Sequence, residues 1–574
     1  MPKDTVTTLQ ISIGQASLAG VKPVNQDFHG ASVPSGQQLA LKGAVLAIAD
    51  GISTSDYSHI AAETAVKSLM TDYYATPDAW TVKTSASRVI AATNSWLHAQ
   101  SGYAGISDAD RGHVCTLAAL IVKARTAHLF HVGDSRIWRV SGASLEPLTQ
   151  DHQVALGGGE TVLSRAIGVG HAVDIDYKAV PLELGDTFLL TTDGVHGFWQ
   201  PKQVTQWIAA SDDLDATAHQ ILNAALEAGS NDNLTVQILR IDALPQADQQ
   251  FDAGMFGLPI PSLPSDGAQI DGHTILRQLH GNHRSYIYLA KAPDGTKVAL
   301  KIPSSDLRED KDALRRFVME EWIARRLSSP HLMSAPPSGT RTGLYVVTDY
   351  IEGQSLRQWM QDNPKPDFEQ VRDIIEQVIQ GLRALHRREM LHQDIRPENI
   401  MITRDGVVKL IDYGATYVAG VQETAPALEE GILGTLQYTA PEYFANEPVS
   451  WKAELFSLGV IAYEMLTGTL PYGTQVSRVR TARDRMRLRY RNARDDAHPM
   501  PDWLDEALHK AVHPDPARRH AHLSEFAAYL RTPSLSYQTR HKKPLAERDP
   551  ERFWKTVSGL LAILCIWLAT MAFK

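Results

Sequence analysis

Aspartates recur at the ends of apolar, strand-like runs. Asp50 closes "AVLAIAD" (44–50), Asp134 follows "AHLFHVG" (127–133), Asp193 follows "DTFLLTT" (186–192) and Asp232 precedes "NLTVQILRI" (233–241). Singly, an aspartate beside a glycine is an ordinary turn residue. Gathered in space, such acids would repel and raise one another's pKa, and divalent cations, which prefer oxygen ligands, would relieve the conflict. A second set lies further along: Lys301 in "VALK" (298–301), Asp394, Arg396 and Asn399 in "HQDIRPEN" (392–399), and Asp412 in "IDYG" (411–414). It offers oxygen donors for a hard cation and fixed positive charge for an anion.

Regular elements must carry these groups. From about residue 10 to 242, strand-length apolar runs alternate with Ala-rich helical stretches. The stretch "ALPQADQQFDAGMFGLPIPSLPSDG" (243–267) is rich in Pro and Gly, lacks periodicity, and reads as a linker within 243–269. A second pattern fills 270–532. There "VALKIPS" is strand-like, and Val371, Ile374, Ile375, Val378, Ile379, Leu382 and Leu385 fall on one helical face. With 574 residues the chain exceeds one core, so two or three domains are expected. A formal net charge of -9 argues against a nucleic-acid role. Two cysteines, Cys115 and Cys565, exclude a disulfide framework and suit a reducing compartment. The start, "MPKDTVTTLQ", lacks the basic flank and apolar run of a signal peptide.

A polar segment, 533–555, leads to an uncharged run, "VSGLLAILCIWLATMAF" (557–573), preceded by Arg548, Arg552 and Lys555. This predicts a transmembrane helix over 556–573, with everything before it in the cytoplasm on the inner face of a cell membrane. A buried or interfacial helix is the alternative. With almost nothing after the run, a receptor with an outside sensor is disfavoured. Eight arginines within 477–496 predict a helical, solvated face, with contact to anionic lipid or an acidic substrate as the sharper reading.

The second set of motifs resembles the protein kinase family, in that family's order across 270–532. "FVMEEWIARRL" adds Glu320, with Glu321 less well spaced; "APE" adds Glu442, and "DPARRH" adds Arg519 as its partner. The resemblance implies a bilobal fold that binds ATP and Mg2+. Lys301, paired with Glu320, would hold the phosphates; Asn399 and Asp412 would hold magnesium; Asp394 would accept the hydroxyl proton; and Arg396 would place positive charge near the γ-phosphate. His280, Asn282 and Ser285 stand where the family expects three glycines, with only Gly281 nearby. Gln393 replaces the arginine that clamps a phosphorylated activation segment, so activity should not depend on phosphate at Thr416 or Thr424. Thr435 in "GTLQYTAPE" fits a serine/threonine rather than a tyrosine kinase.

Across 10–242 the order "VKPVNQD", "AIADGIS", "GDSR", "LTQDH", "LSRAIG", "TTDG" and "NDNLTV" resembles the metal-dependent PPM protein phosphatases. This implies an α/β sandwich of two central β-sheets flanked by helices, with two or three Mn2+ or Mg2+ ions. By resemblance Asp50, Asp193, Asp232 and the Gly51 carbonyl are metal ligands, Asp134 joins a looser third ion, and Asp27 is an outer partner. Lys22 stands in for a phosphate-binding arginine. His113, His131 and His152 read as structural or solvent-facing. The chain as a whole is thus expected to be multidomain α+β and bifunctional. It would phosphorylate and dephosphorylate Ser/Thr on proteins, itself included. The rival reading keeps one domain catalytic and the other a scaffold.

Overall fold

The computed structural model describes residues 8–104, 111–157, 160–245, 258–282, 284–337, 339–423, 437–445, 447–493, 500–540 and 550–572. In the first domain two five-stranded sheets stack face to face. One runs in the order Gln10–Leu18, Leu234–Ala243, Thr187–Thr191, Arg136–Ser141, Ser144–Pro147. The other runs Asp176–Pro181, Thr126–Val132, Leu117–Lys123, Ala44–Ala49, Phe28–Ser32. Strand Ala44–Ala49 shows why its sequence is apolar throughout. Leu46 and Ile48 point into the layer between the sheets with Phe188, Leu190 and Leu239, while Val45, Ala47 and Ala49 pack outward. Helices Ser58–Ala75 and Val82–Tyr103 cover that outer face; Pro201–Ala210 and Leu214–Glu227 cover the other sheet. A strand buried on both faces needs no polar alternation. The result is a helix–sheet–sheet–helix sandwich, as the resemblance implied.

The second domain has a small lobe built on the sheet Gln269–Ile270, His273–Gly281, Ser285–Lys291, Lys297–Pro303, Val346–Asp349, with helix Lys311–Arg326 against it. The expected linker is only part of the story. Beyond its undescribed residues 246–257, Leu258 and Ile260 pack on Phe317, Val318, Leu344 and Val346, and Leu344 N donates to Pro259 O at 2.8 Å. The large lobe is helical. Helix Phe368–His386 starts at a capping box of Asp367 and Gln370 and buries all seven apolar residues of the expected face. Helix Trp451–Thr467 is its central partner.

Two expectations need correction. Among the described residues no helix is long and apolar enough to cross a membrane. Helix Pro550–Ala572 begins with Glu551, Arg552 and Lys555, the first and last paired at 2.6 Å. Only the 17 residues Thr556 to Ala572 remain uncharged, with Phe573 outside the described residues. A bilayer core needs about 20 predominantly apolar residues. The anchor, and with it the membrane as a partner, is therefore withdrawn. The arginine-rich run is mostly irregular, with a single turn at Val476–Arg478 and a short helix at Ala482–Arg485; residues 494–496 are outside the described set. Of the two readings of His113, His131 and His152, the structural one holds: all three are buried.

Candidate active sites

In the sandwich, the acids collect at one end of the stacked sheets. Asp27 is buried, and its Oδ2 accepts from Thr235 Oγ1 at 2.7 Å and Thr192 Oγ1 at 2.9 Å. Among the described residues its Oδ1 is buried with no hydrogen-bond partner. Burial pushes Asp27 up to about 7 despite the hydroxyls, with Asp193 adding to the rise. Asp50 is raised well above the carboxylate range by desolvation and then by Asp27, Asp193, Asp134 and Asp232. Asp193, at the rim, is raised by desolvation and by Asp134 and Asp232. Asp134 is buried and takes a hydrogen bond from Gln153 Nε2 at 2.9 Å. Lys22 pairs with Asp232 and donates to Ser53 Oγ at 2.6 Å. Five carboxylates thus feel one another with one lysine among them.

Residues flanking the acids hold this cluster, some in roles the motifs did not show. Asn233 Oδ1 accepts from Gln26 N at 2.9 Å, and its Nδ2 donates to Ala19 O and Val24 O at 3.0 Å, fixing the loop that carries Lys22. Gly194 lies so close to Asn233 that a Cβ would sit 2.1 Å from its carbonyl oxygen. Any larger residue there would push Asp193 and Asp232 apart. Gly51 is similarly pressed on Ser58, at 2.8 Å from an added Cβ.

The acids are coupled yet spread out. Among the described residues, the trio whose ligating atoms all lie within 4.8 Å is instead His131, His152 and Asp176. There, His152 Nδ1 accepts from Gly133 N at 3.1 Å, which leaves Nε2 to donate to Asp176 at 3.1 Å, while Arg165 already neutralises Asp176 at 2.9 Å. Those contacts satisfy His152 and Asp176, whereas both ring nitrogens of His131 are buried without a hydrogen-bond partner among the described residues. The unpartnered Asp27 Oδ1 and the raised carboxylates are what a site built for divalent cations looks like without them.

The kinase-like site is organised differently, because its charges are matched within the protein. Lys301 Nζ lies 2.6 Å from Glu320 Oε2 and 4.0 Å from Asp412 Oδ1. Burial opposes the charge on Lys301, but Asp412 and Glu320 together hold its pKa above the ordinary range. Lys301 in turn keeps Asp412 below the carboxylate range. Glu321 points elsewhere: Arg341 binds both its oxygens at 2.6 and 2.7 Å and Val347 N donates to it at 3.0 Å. Asn399 Nδ2 donates to Asp394 O at 2.9 Å and to Asp394 Oδ2 at 2.8 Å, so both loop residues face one place. Asp394 is raised chiefly by burial, against His392 and Arg396. Arg396 lies 3.1 Å from Glu398. Gln393 and Asp412 both adopt left-handed backbone, φ 63° and 65°, a conformation that non-glycine residues hold only where surrounding contacts enforce it. Here Glu454 accepts from the amides of His392 and Gln393. Tyr413 buries its ring and donates its hydroxyl to Met333 O at 2.9 Å, so the tyrosine leaves no orphan polar atom. Arg519 binds Glu442 through two 2.7 Å hydrogen bonds.

The glycine-poor loop has its own solution. Gly281 pairs with Tyr286, and Asn282 closes the turn: its N donates to Ser285 O at 3.0 Å, and its Oδ1 accepts from Arg284 N at 2.8 Å and Ser285 N at 2.9 Å. Two amides that could meet phosphate are thereby occupied. Thr424 and Thr435 lie outside the described residues.

Comparison with known proteins matches this division. Residues 15–235 match the family model for protein phosphatase 2C, and residues 281–528 that for the protein kinase domain. The chain is a fusion of a protein phosphatase 2C domain and a protein kinase domain, the latter related to bacterial serine/threonine kinases. It is similar to serine/threonine-protein kinase PrkC of Bacillus subtilis (strain 168), 26% identical over 288 residues, covering 50% of this chain and 44% of that one. It is also similar to a probable serine/threonine-protein kinase PknB of Bifidobacterium longum (strain NCC 2705), 30% identical over 255 residues, 42% of this chain and 36% of that one. The chain spans less than half the length of these curated relatives. Among solved structures, it is similar to PppA of Pseudomonas aeruginosa, described as a key regulatory component of T6SS. That match has 21% identity and a TM-score of 0.35, over 42% of this chain and all of that one.

Proposed function

We propose that both domains are catalytic. In this reading the chain transfers phosphate from ATP to Ser/Thr on proteins and hydrolyses phosphoserine and phosphothreonine with divalent cations, with itself among the targets. The observation that carries the reading is the pairing of two differently charged sites on one chain. One is a Lys301–Glu320–Asp412 arrangement beside Asp394 and Asn399, and the other is a crowd of five aspartates around a single lysine.

In the kinase domain Lys301 orients the ATP phosphates, already aimed by Glu320. Asp394, held by Asn399, takes the proton of the attacking hydroxyl, and Arg396 offsets charge developing on the transferred group. Asn399 and Asp412 would hold Mg2+. In the phosphatase domain Asp50, Asp193, Asp232 and the Gly51 carbonyl would hold two Mn2+ or Mg2+ ions, with Asp134 on a third. Bound there, such ions supply charge neutralisation and an activated water. Lys22 draws the phosphate in as a point charge, without the two-pronged grip of an arginine. Asp27, fixed by Thr192 and Thr235, orients the cluster from behind.

Two assays on the full chain test this. Manganese-dependent hydrolysis of an aryl phosphate should fall by about 10²-fold or more in Asp193→Asn and survive in Asp394→Asn, and transfer from labelled ATP should show the reverse pattern. A wild-type chain silent in either assay would leave that domain a scaffold.

A further inference from the structure

The two domains meet at a place that matters for catalysis. In the kinase domain, Met390–Leu391 enters the catalytic loop and Tyr417–Val418 leaves the metal-binding Asp412 turn; the two strands pair antiparallel, Met390 with Val418 and Leu391 with Tyr417. The phosphatase domain grips both ends of that pair. On the catalytic-loop side, Glu389 accepts from Thr81 N at 2.8 Å and Thr84 Oγ1 at 2.6 Å, and Trp80 Nε1 donates to Arg387 O at 2.9 Å. On the activation-segment side, Gly420 N donates to Ala79 O at 2.8 Å, and Glu423 accepts from Val82 N at 3.0 Å. Lys123, at the end of a phosphatase strand, is 1% exposed; it donates to Gly420 O at 2.6 Å and pairs with Glu423 at 3.2 Å.

The contact is built rather than incidental. The inserted loop is braced from behind by Lys42, itself buried, which donates to Thr76 Oγ1 at 2.7 Å and Pro77 O at 2.9 Å. Ala79 and Leu41 join the hydrophobic core of the large kinase lobe. Gly420 fits only because it lacks a side chain: a Cβ would lie 2.5 Å from Trp80 O and 2.8 Å from Ala79 O. Asp78 reaches Arg326, the last residue of the helix that supplies Glu320, at 3.0 Å. Burying a lysine is costly without a matched acid, and Glu423 is that acid.

We propose that the phosphatase domain is a permanent clasp on the kinase, with Lys123 the positioning residue that fixes the start of the activation segment against the catalytic loop. Gln393 stands where the family resemblance implies an arginine that clamps a phosphorylated activation segment; here a buried lysine from the neighbouring domain takes over the task. The consequence for rate rests on the kinase domain being active, as proposed above. The clasp itself does not.

The test uses the full chain, with a generic serine-containing protein as acceptor and initial ADP release as readout, which later dephosphorylation cannot mask. Lys123→Met should lower kcat by about 10- to 100-fold, the cost of a small misplacement of catalytic groups. KM for ATP should stay within about twofold, since no nucleotide-facing residue touches the clasp. Manganese-dependent aryl phosphate hydrolysis should be unchanged. Gly420→Ala, which adds one methyl against the Ala79–Trp80 backbone, should reproduce the kcat loss and speed amide hydrogen exchange across 417–423. If exchange there does not change in Gly420→Ala, the clasp is wrong. If it quickens while kcat of both variants holds, the positioning role is wrong. A wild-type chain that releases no ADP refutes kinase activity instead, and exchange alone then decides the clasp.

Discussion

The two sites solve the same problem, handling a phosphate, with opposite electrostatics. The kinase domain assembles its charges in matched sets: Lys301 with Glu320 and Asp412, Arg519 with Glu442, Arg341 with Glu321. In the phosphatase domain burial and neighbouring acids, Asp134 and Asp232 among them, raise Asp50 and Asp193, and Asp193 adds to the rise that burial gives Asp27; Lys22 pairs with Asp232. A matched site stands without its ligands. A site of like charges is strained until cations arrive, and that strain is the source of its affinity for them.

Two neutralising substitutions should therefore move stability in opposite directions, which breaks the comparison if they do not. Glu320→Gln leaves Lys301 in a largely buried place with only the more distant Asp412. It should cost the kinase domain about 3 kcal/mol without nucleotide, at the low end for a broken buried pair. Asp50→Asn removes one repelling carboxylate and should stabilise the cation-free phosphatase domain by about 1 kcal/mol. Urea unfolding in chelator, with domain-specific probes, reads both. A smaller effect sharpens the comparison at the loop over the nucleotide. Asn282→Gly frees the amides of Arg284 and Ser285, and KM for ATP should fall about threefold to tenfold, the worth of one or two hydrogen bonds to a charged group after the added freedom of glycine is subtracted. An unchanged or raised KM would mean those amides never meet phosphate.

The order of motifs made both folds legible, and the two-sheet sandwich came with the resemblance rather than with the strand pattern itself. What stayed hidden depends on contacts distant in sequence. Glu320 and Glu321 are adjacent letters; spacing favoured Glu320, but that Glu321 serves Arg341, twenty residues on, appears only in the fold. Thr192 and Thr235 sit inside the quoted "TTDG" and "NDNLTV", yet their role appears only when strands Thr187–Thr191 and Leu234–Ala243 pair and both hydroxyls reach Asp27. Asn282 looked like a missing glycine and turned out to close the turn with its side chain. Lys123 and Gly420 carry no motif, because a surface between domains has no period to betray it. The C-terminal run misled because its uncharged stretch among the described residues, Thr556 to Ala572, is short for a bilayer core.

The claim that two opposed activities act from one chain is tested most directly by the phosphate the chain carries. Wild type, Asp193→Asn and Asp394→Asn are incubated with Mg-ATP and manganese, and each intact mass is measured. The account predicts more phosphate on Asp193→Asn than on wild type and none on Asp394→Asn. Equal phosphate on Asp193→Asn and wild type would contradict it.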